Sequence, residues 1–274
     1  LRCSPAKLLG QIHSQLLQAT LKQLSGKSIA TKQECFVLLQ LADQALEGGL
    51  EGEADAVCSA AAGAVHSVNT ASSSSLAISA LSFLATFFRH HSSRAFTSHL
   101  DDLVSGIVKC MKDKLQRVNF EAFAAASALA RTLRPKGSAS PLASGYSSAI
   151  QQLFDATTEV LSDNSVDGEV RERALETLGN LFVHEGDALT KSYTVGLPLI
   201  AARLGTESTA ATALKVIGRV ADSPVCKGKE FENWLLSTLP EMVTALRKSR
   251  RTSSRNAEFN CLQSVLRRIG SQKT

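Results

Sequence analysis

The sequence contains no Cys-x-x-Cys pair, no Gly-x-Ser-x-Gly elbow and no run of about 18 apolar residues. The first absence argues against a zinc or redox site, the second against an α/β-hydrolase nucleophile, and the third against a membrane-spanning helix. Aromatic residues make up only 5% of the chain, against 44% hydrophobic residues overall. Ala, Leu and Ser dominate instead, a composition that favours close-packed helices over sheets and leaves ample apolar surface for a core. The formal charge of +5 is mild for 274 residues and falls short of a nucleic-acid binder's footprint. Acids and bases are interspersed over most of the chain, the pattern of a solvated face.

The cysteines, Cys3, Cys35, Cys58, Cys110, Cys226 and Cys261, are scattered, mostly through apolar helical runs. They read as reduced, buried thiols of an intracellular protein, nuclear or cytoplasmic. No signal peptide is evident, and the chain opens on Leu1 rather than Met, which leads one to expect a piece of a longer protein.

What is present is a repeat. Leu161–Leu181 (LSDNSVDGEVRERALETLGNL) reads as a helix end, a polar turn and a second amphipathic helix. Asp167 is placed to cap the new helix, and Val170, Ala174, Leu178 and Leu181 share its apolar face. Arg171 and Arg173 could reach Asp163, Asp167 or the last carbonyls of the preceding helix. The Asp, Val-Arg, Ala, Leu-Gly pattern resembles a HEAT-repeat turn. Leu175-x-x-Leu178-Gly179 returns as Leu214-x-x-Ile217-Gly218 and Leu266-x-x-Ile269-Gly270, and upstream with Ala42, Ala85 and Ala130 in the small position. Successive gaps are 43, 45, 49, 39 and 52 residues, close to the 40–47 of helical-pair repeats. A small residue there lets one helix approach its neighbour closely.

The expected fold is therefore all-α: an α-α superhelix of about six HEAT repeats in a single array. Its approximate units are 1–48, 49–92, 93–135, 146–186, 187–224 and 225–274. Each unit pairs a first (A) helix with a second (B) helix. Predicted pairs are Ala6–Leu24 with Thr31–Ala45, Glu51–Val68 with Leu76–His90, and Phe96–Lys112 with Leu115–Leu133. Then follow Ser147–Leu161 with Gly168–His184, Ala188–Leu204 with Ser208–Ala221, and Gly228–Arg247 with Ser253–Ile269. Thr31 and Glu34 suggest a capping box, Ser72–Ser75 a polar turn, and Pro240 a bend. Arg134–Gly145 (RPKGSASPLASG) reads as a loop between repeats.

Site chemistry is sparse. Ser25-Gly26-Lys27-Ser28 resembles the tail of a phosphate-binding loop, but Leu21 stands where that motif has its first Gly and no strand precedes it. His90-His91 do not share a helical face and have no Cys or carboxylate at ligand spacing, so they read as helix-end histidines near free carbonyls. No catalytic constellation, metal site or cofactor site is found, and no enzyme activity is expected. The exception to the mixed-charge pattern is Arg247–Arg255, where Arg247, Lys248, Arg250, Arg251 and Arg255 stand with no acid among them. It reads as a solvated turn, or as an anionic docking patch, an import signal or a kinase site. Glu176, Lys215 and Arg267 occupy one place in the repeat register and are candidate partner contacts if B helices line a concave surface.

The order of local motifs resembles the central part of the cullin-associated, neddylation-dissociated protein family. It is carried by Ser28–Phe36, Ser72–Leu81, Phe96–Cys110, Leu133-Arg134-Pro135, Val166–Leu175, Gly186–Leu189 and Thr212–Pro224. The resemblance implies a non-enzymatic scaffold that wraps an unmodified cullin bound to its RING subunit. It implies further that attachment of the ubiquitin-like modifier is blocked and that substrate receptors are exchanged on cullin-RING ligases. No contact residue of the family is carried over. The rival reading is a nuclear-transport or nucleic-acid-associated adaptor using the 247–255 patch. No small-molecule substrate or membrane partner is expected.

Overall fold

The structure is a computed structural model that describes residues 5–46, 48–68, 70–134, 140, 142–248 and 255–270; the side chains of 5–12, 255 and 257 are outside the description. The chain divides into two compact units, Leu1–Leu133 and Arg134–Thr274. Among the described residues there is no strand, and the first unit pairs α1 (Pro5–Leu24) with α2 (Ile29–Ala45), α3 (Ala54–His66) with α4 (Ala71–His90), and α5 (Leu100–Met111) with α6 (Gln116–Leu133). The second pairs α7 (Ser147–Ser162) with α8 (Gly168–Glu185), α9 (Tyr193–Ala202) with α10 (Ala210–Ala221), and α11 (Lys229–Lys248) with α12 (Arg255–Gly270). Within each unit the B helices pack side by side, α4 between α2 and α6, and α10 between α8 and α12.

The predicted pairs all form, with shifts at their starts that have local causes. Ser72–Ser75 lie inside α4 rather than in a turn. Thr70 caps that helix reciprocally: the Ser73 N–H donates to Thr70 Oγ1 at 3.2 Å, and the Thr70 N–H to Ser73 Oγ at 2.8 Å. The hydroxyls of Ser74 and Ser75 donate back to the carbonyls of Thr70 and Ala71, so this serine run is absorbed by the first turn. In α2 the cap is Ser28, whose Oγ accepts from the Thr31 N–H at 3.3 Å, in place of the expected Thr31–Glu34 box. Asp167 caps α8 as expected, accepting from the Glu169 N–H at 2.8 Å. Helix α11 runs through Pro240.

The few aromatic rings are concentrated into one chain of contacts per unit. In the first, Phe36 meets Phe83 at 5.7 Å, Phe83 meets Phe87 at 5.6 Å, and Phe88 meets Phe96 at 4.8 Å. In the second, Phe154, Phe182, Tyr193, Phe231 and Trp234 follow one another at 5.7–6.0 Å. Each buried ring contributes roughly 1.5–3 kcal/mol of burial free energy; the first chain ties the B helices α2 and α4 together and reaches Phe96 ahead of α5, and the second ties α7, α8, α9 and α11. Helix α4 is long and apolar enough to cross a membrane by length and composition. Its Leu76, Leu81, Phe83, Leu84, Phe87 and Phe88 are instead buried against α2, α3 and α6. The described cysteines are free thiols, and burial pushes Cys58, Cys110 and Cys226 up to about 12, so they are inert.

Candidate protein-interaction surface

The small-residue register sets how closely B helices approach. A Cβ added at Gly179 would lie 2.7 Å from Val216 Cγ1, and one at Gly218 would lie 2.7 Å from Cys261 Cβ, so these glycines let α8, α10 and α12 touch backbone to side chain. Ala42, Ala85 and Ala130 are likewise buried. Gly270 is not: it is exposed, and a Cβ there would meet nothing within 4 Å. The α10–α12 pairing runs instead through Gly218 beside Cys261 and Asp222 accepting from Ser264 Oγ at 2.8 Å. Those pairs are 43 and 42 residues apart, so the α10–α12 repeat is shorter than the expected gap of 52 to Gly270.

This correction separates the three expected partner contacts. Glu176 on α8 and Lys215 on α10 stand 39 residues apart, the separation of the hydrogen-bonded pair Asn180 and Arg219. Thr212 donates to Glu172 Oε1 at 3.3 Å one turn earlier. Glu172, Glu176, Lys215 and Arg219 therefore form a mixed-charge row along the α8–α10 seam, with Lys215 exposed and Glu176 joined to Arg173 at 3.4 Å. Arg267 is exposed on α12, but the counterpart of Lys215 falls near the buried Glu258, about two helical turns earlier. In the basic segment, Arg247 and Lys248 are exposed in the last turn of α11, where cations favour the helix dipole. Arg250 and Arg251 lie outside the described residues, as does the Arg255 side chain at the start of α12.

Two buried polar junctions were not foreseen. His90 and His91 do not meet free carbonyls: His90 Nδ1 is 2.9 Å from Asp43 Oδ2, and His91 Nε2 is 2.7 Å from Asp43 Oδ1. The Asp43 side chain is fully buried, and the His91 ring stacks on Phe87 at 4.2 Å. The carboxylate does not stand at helical spacing; it comes from the previous B helix, 47 and 48 residues upstream. Carbonyls do take other histidines, His66 meeting Asp102 O at 3.0 Å and His184 Nδ1 meeting Arg134 O at 2.8 Å.

The second junction gathers on Arg134, which is 3% exposed. Its guanidinium donates to both Asp187 oxygens at 2.5 and 2.9 Å, to Ser140 O twice, and to His184 O at 3.2 Å. Glu185 stands 3.9 Å from Arg134 with a fully buried side chain, and neither of its oxygens has a hydrogen-bond partner among the described residues. Burial raises the Glu185 carboxyl to about 8 despite the nearby guanidinium. At Asp187 burial pushes up, but the Arg134 hydrogen bonds and charge outweigh it and hold the carboxyl below its usual range. Among the described residues no group of His, Cys, Asp and Glu could hold a metal ion.

Residues 50–178 match a family described as "CAND1-like, TPR repeats". The chain is 29% identical over 249 residues to the Cullin-associated NEDD8-dissociated protein 1 of Drosophila melanogaster, covering 90% of this chain and 20% of that protein. It is 30% identical over 237 residues to the Cullin-associated NEDD8-dissociated protein 2 of Mus musculus, covering 86% and 19%. The chain is of the cullin-associated NEDD8-dissociated type. It spans about a fifth of the length of these curated relatives. Solved structures place the fold with armadillo and karyopherin repeats: Kap121p bound to Pho4p has a TM-score of 0.76 at 13% identity, covering 95% of this chain and 24% of Kap121p. The designed armadillo repeat protein YIII(Dq)4CqI has a TM-score of 0.63 at 17% identity, covering 90% and 98%. At these identities the likeness establishes the helical-pair repeat fold alone.

Proposed function

We propose that this cullin-associated NEDD8-dissociated-type chain is a non-enzymatic scaffold segment that contributes to holding an unneddylated cullin and its RING subunit. In that role it supports exchange of substrate receptors on cullin-RING ligases. The observation that carries the reading is sequence similarity to proteins named for cullin association over nine-tenths of the chain. The structure adds a rationale for contact. Repeat stacking exposes an extended face on which many modest interactions sum, and the Glu172, Glu176, Lys215 and Arg219 row offers both charge signs for complementarity.

The test is an affinity measurement between the purified chain and a cullin–RING pair, unmodified and neddylated, with double-stranded DNA as a polyanion control. Saturable binding that favours the unmodified pair is expected. Binding to DNA alone, weakening steeply with salt, would overturn the reading in favour of a basic-patch adaptor.

A further inference from the structure

In the first unit the interspersed charges of the sequence sort by edge. Along α2 and α4, Phe36 meets Phe83, Gln40 donates to Thr86 and Asp43 meets His90, at separations of 47, 46 and 47 residues. The two helices therefore run side by side in one direction. Along α3 and α5, Asp55 in the first turn of α3 meets His99 just ahead of α5 at 2.7 Å, and Lys109 near the end of α5 donates to His66 O at the end of α3, also at 2.7 Å. The α1–α2, α3–α4 and α5–α6 turns thus stand along one edge. Lys22, Lys27 and Lys32 flank the first of them, Ser67–Thr70 leaves the second uncharged, and Lys109, Lys112, Lys114 and Arg117 flank the third. Against these seven cations stands one acid, Asp113, whose Oδ1 accepts from the Leu115 N–H at 2.8 Å. The opposite edge carries Glu51, Glu53, Asp55, Asp101 and Asp102 with Arg94.

Helix dipoles account for part of this sorting. They favour the acids in the first turns of α3 and α5, and Lys22 and Lys109 in the last turns of α1 and α5. They disfavour Lys32 and Arg117, which stand in the first turns of α2 and α6, where no acid offsets them. Lys22, Lys27 and Lys114 are exposed, with no carboxylate at ion-pair distance among the described residues. The turns also point away from the faces on which one pair packs against the next, so their exposure does not depend on the flanking pairs. Between Lys114 and Arg117, Leu115 is 48% exposed. We infer that this edge docks an acidic segment of a partner protein, whose carboxylates meet the cations and one of whose apolar side chains meets Leu115. With neighbouring helices about 8–10 Å apart, the first and third turns are about 16–20 Å apart, the reach of about five or six extended residues. An exposed leucine among the cations suits a polypeptide better than a phosphate backbone, and the chain's net charge of +5 is mild for a nucleic-acid binder. None of these residues belongs to the α8–α10 row, so the inference stands apart from the proposed cullin–RING contact.

Fluorescence anisotropy of a labelled synthetic peptide of repeating Glu-Glu-Leu, titrated with the whole chain at near-physiological salt, tests this. The edge variant combines Lys114→Glu with Arg117→Glu, and Lys27→Glu reverses a second turn on its own. A control combines Lys227→Glu with Lys229→Glu, exposed positions that change the net charge by the same amount. Circular dichroism and a denaturation midpoint confirm folding, which Arg117→Glu does not oppose because it removes a cation from the first turn of α6. Saturable binding by the unaltered chain is expected, weakened about tenfold in the edge variant, about threefold by Lys27→Glu and less than about twofold in the control. Leu115→Ser is expected to weaken the peptide by about threefold and to leave retention of double-stranded DNA unchanged. No saturable peptide binding, equal losses in the edge and control variants, indifference to Leu115→Ser, or tighter binding of DNA or phosphatidylserine vesicles than of the peptide overturns the proposal.

Discussion

Across the α2–α4 seam one carboxylate, Asp43, serves two imidazoles, whereas in the second unit one guanidinium, Arg134, lies between two carboxylates. Both junctions join segments far apart in sequence, yet their charge accounts differ. Asp43 has both oxygens matched by ring nitrogens. Arg134 commits its hydrogen bonds to Asp187 and backbone carbonyls, leaving Glu185 buried nearby with no donor of its own among the described residues. Buried ionic groups hold register at a desolvation cost, and among the described residues the second junction carries one acid more than its cation pairs at hydrogen-bond distance. The second holds a buried carboxyl that burial raises to about 8.

The largest expected effect comes from Arg134→Ala, which strands Asp187 and Glu185 without their cation and strips the His184 and Ser140 carbonyls of donors. A loss of about 3–5 kcal/mol is expected in urea denaturation. Retention of wild-type stability would mean that the junction holds nothing.

Next is the pH dependence of Glu185. Its carboxyl is raised from 4.5 to about 8 in the folded chain, so the folded state binds more protons than the unfolded state between those values. Stability therefore falls as pH rises through that window, on the order of 5 kcal/mol in total. Asp187 is held low and works in the opposite direction, losing its contribution only as pH falls below the usual carboxylate range. Glu185→Gln should flatten the decline between pH 4.5 and 8, read as the difference between two stability-versus-pH curves. Parallel curves would show that Glu185 ionises normally.

In the first unit, Asp43→Ala leaves His90 and His91 without their acceptor and should cost about 2–3 kcal/mol. The smallest effects sharpen the contrast between seams. Gly218→Ala drives a methyl against Cys261 and should destabilise by about 1–3 kcal/mol. Gly270→Ala meets open space and should be neutral or stabilising by less than about 1 kcal/mol. Equal effects at the two glycines would contradict the α10–α12 pairing described above.

The helical pairs were legible because their signals are local: apolar spacing, caps such as Asp167, and small residues at near-constant gaps. The α12 register was not, because Leu266-x-x-Ile269-Gly270 copies the motif in letters while Cys261 occupies the close contact. The polar junctions escaped for a related reason. Asp43 and His91 are 48 residues apart, and only the repeat packing brings them to 2.7 Å. A search for carboxylates one repeat away from each histidine would have found this pair. The serine run at Ser72–Ser75 looked like a turn because serine suits turns, yet back-bonding to Thr70 and Ala71 let the helix start earlier. Of the candidate site, the Glu176–Lys215 alignment was readable from the gap of 39 residues. Its neighbours Glu172 and Arg219 needed the α8–α10 contacts.

The central claim is that this repeat segment meets a cullin–RING pair through its mixed-charge row on the α8–α10 seam. Its most direct test is the dissociation constant of the unmodified cullin–RING pair for the whole chain, compared with that of Lys215→Glu. Lys215 is exposed, so the substitution leaves the core untouched. The account predicts binding by the unaltered chain and a loss of about tenfold in the variant, with the folding midpoint unchanged. Absence of binding by the unaltered chain, or equal affinity for both, would contradict it.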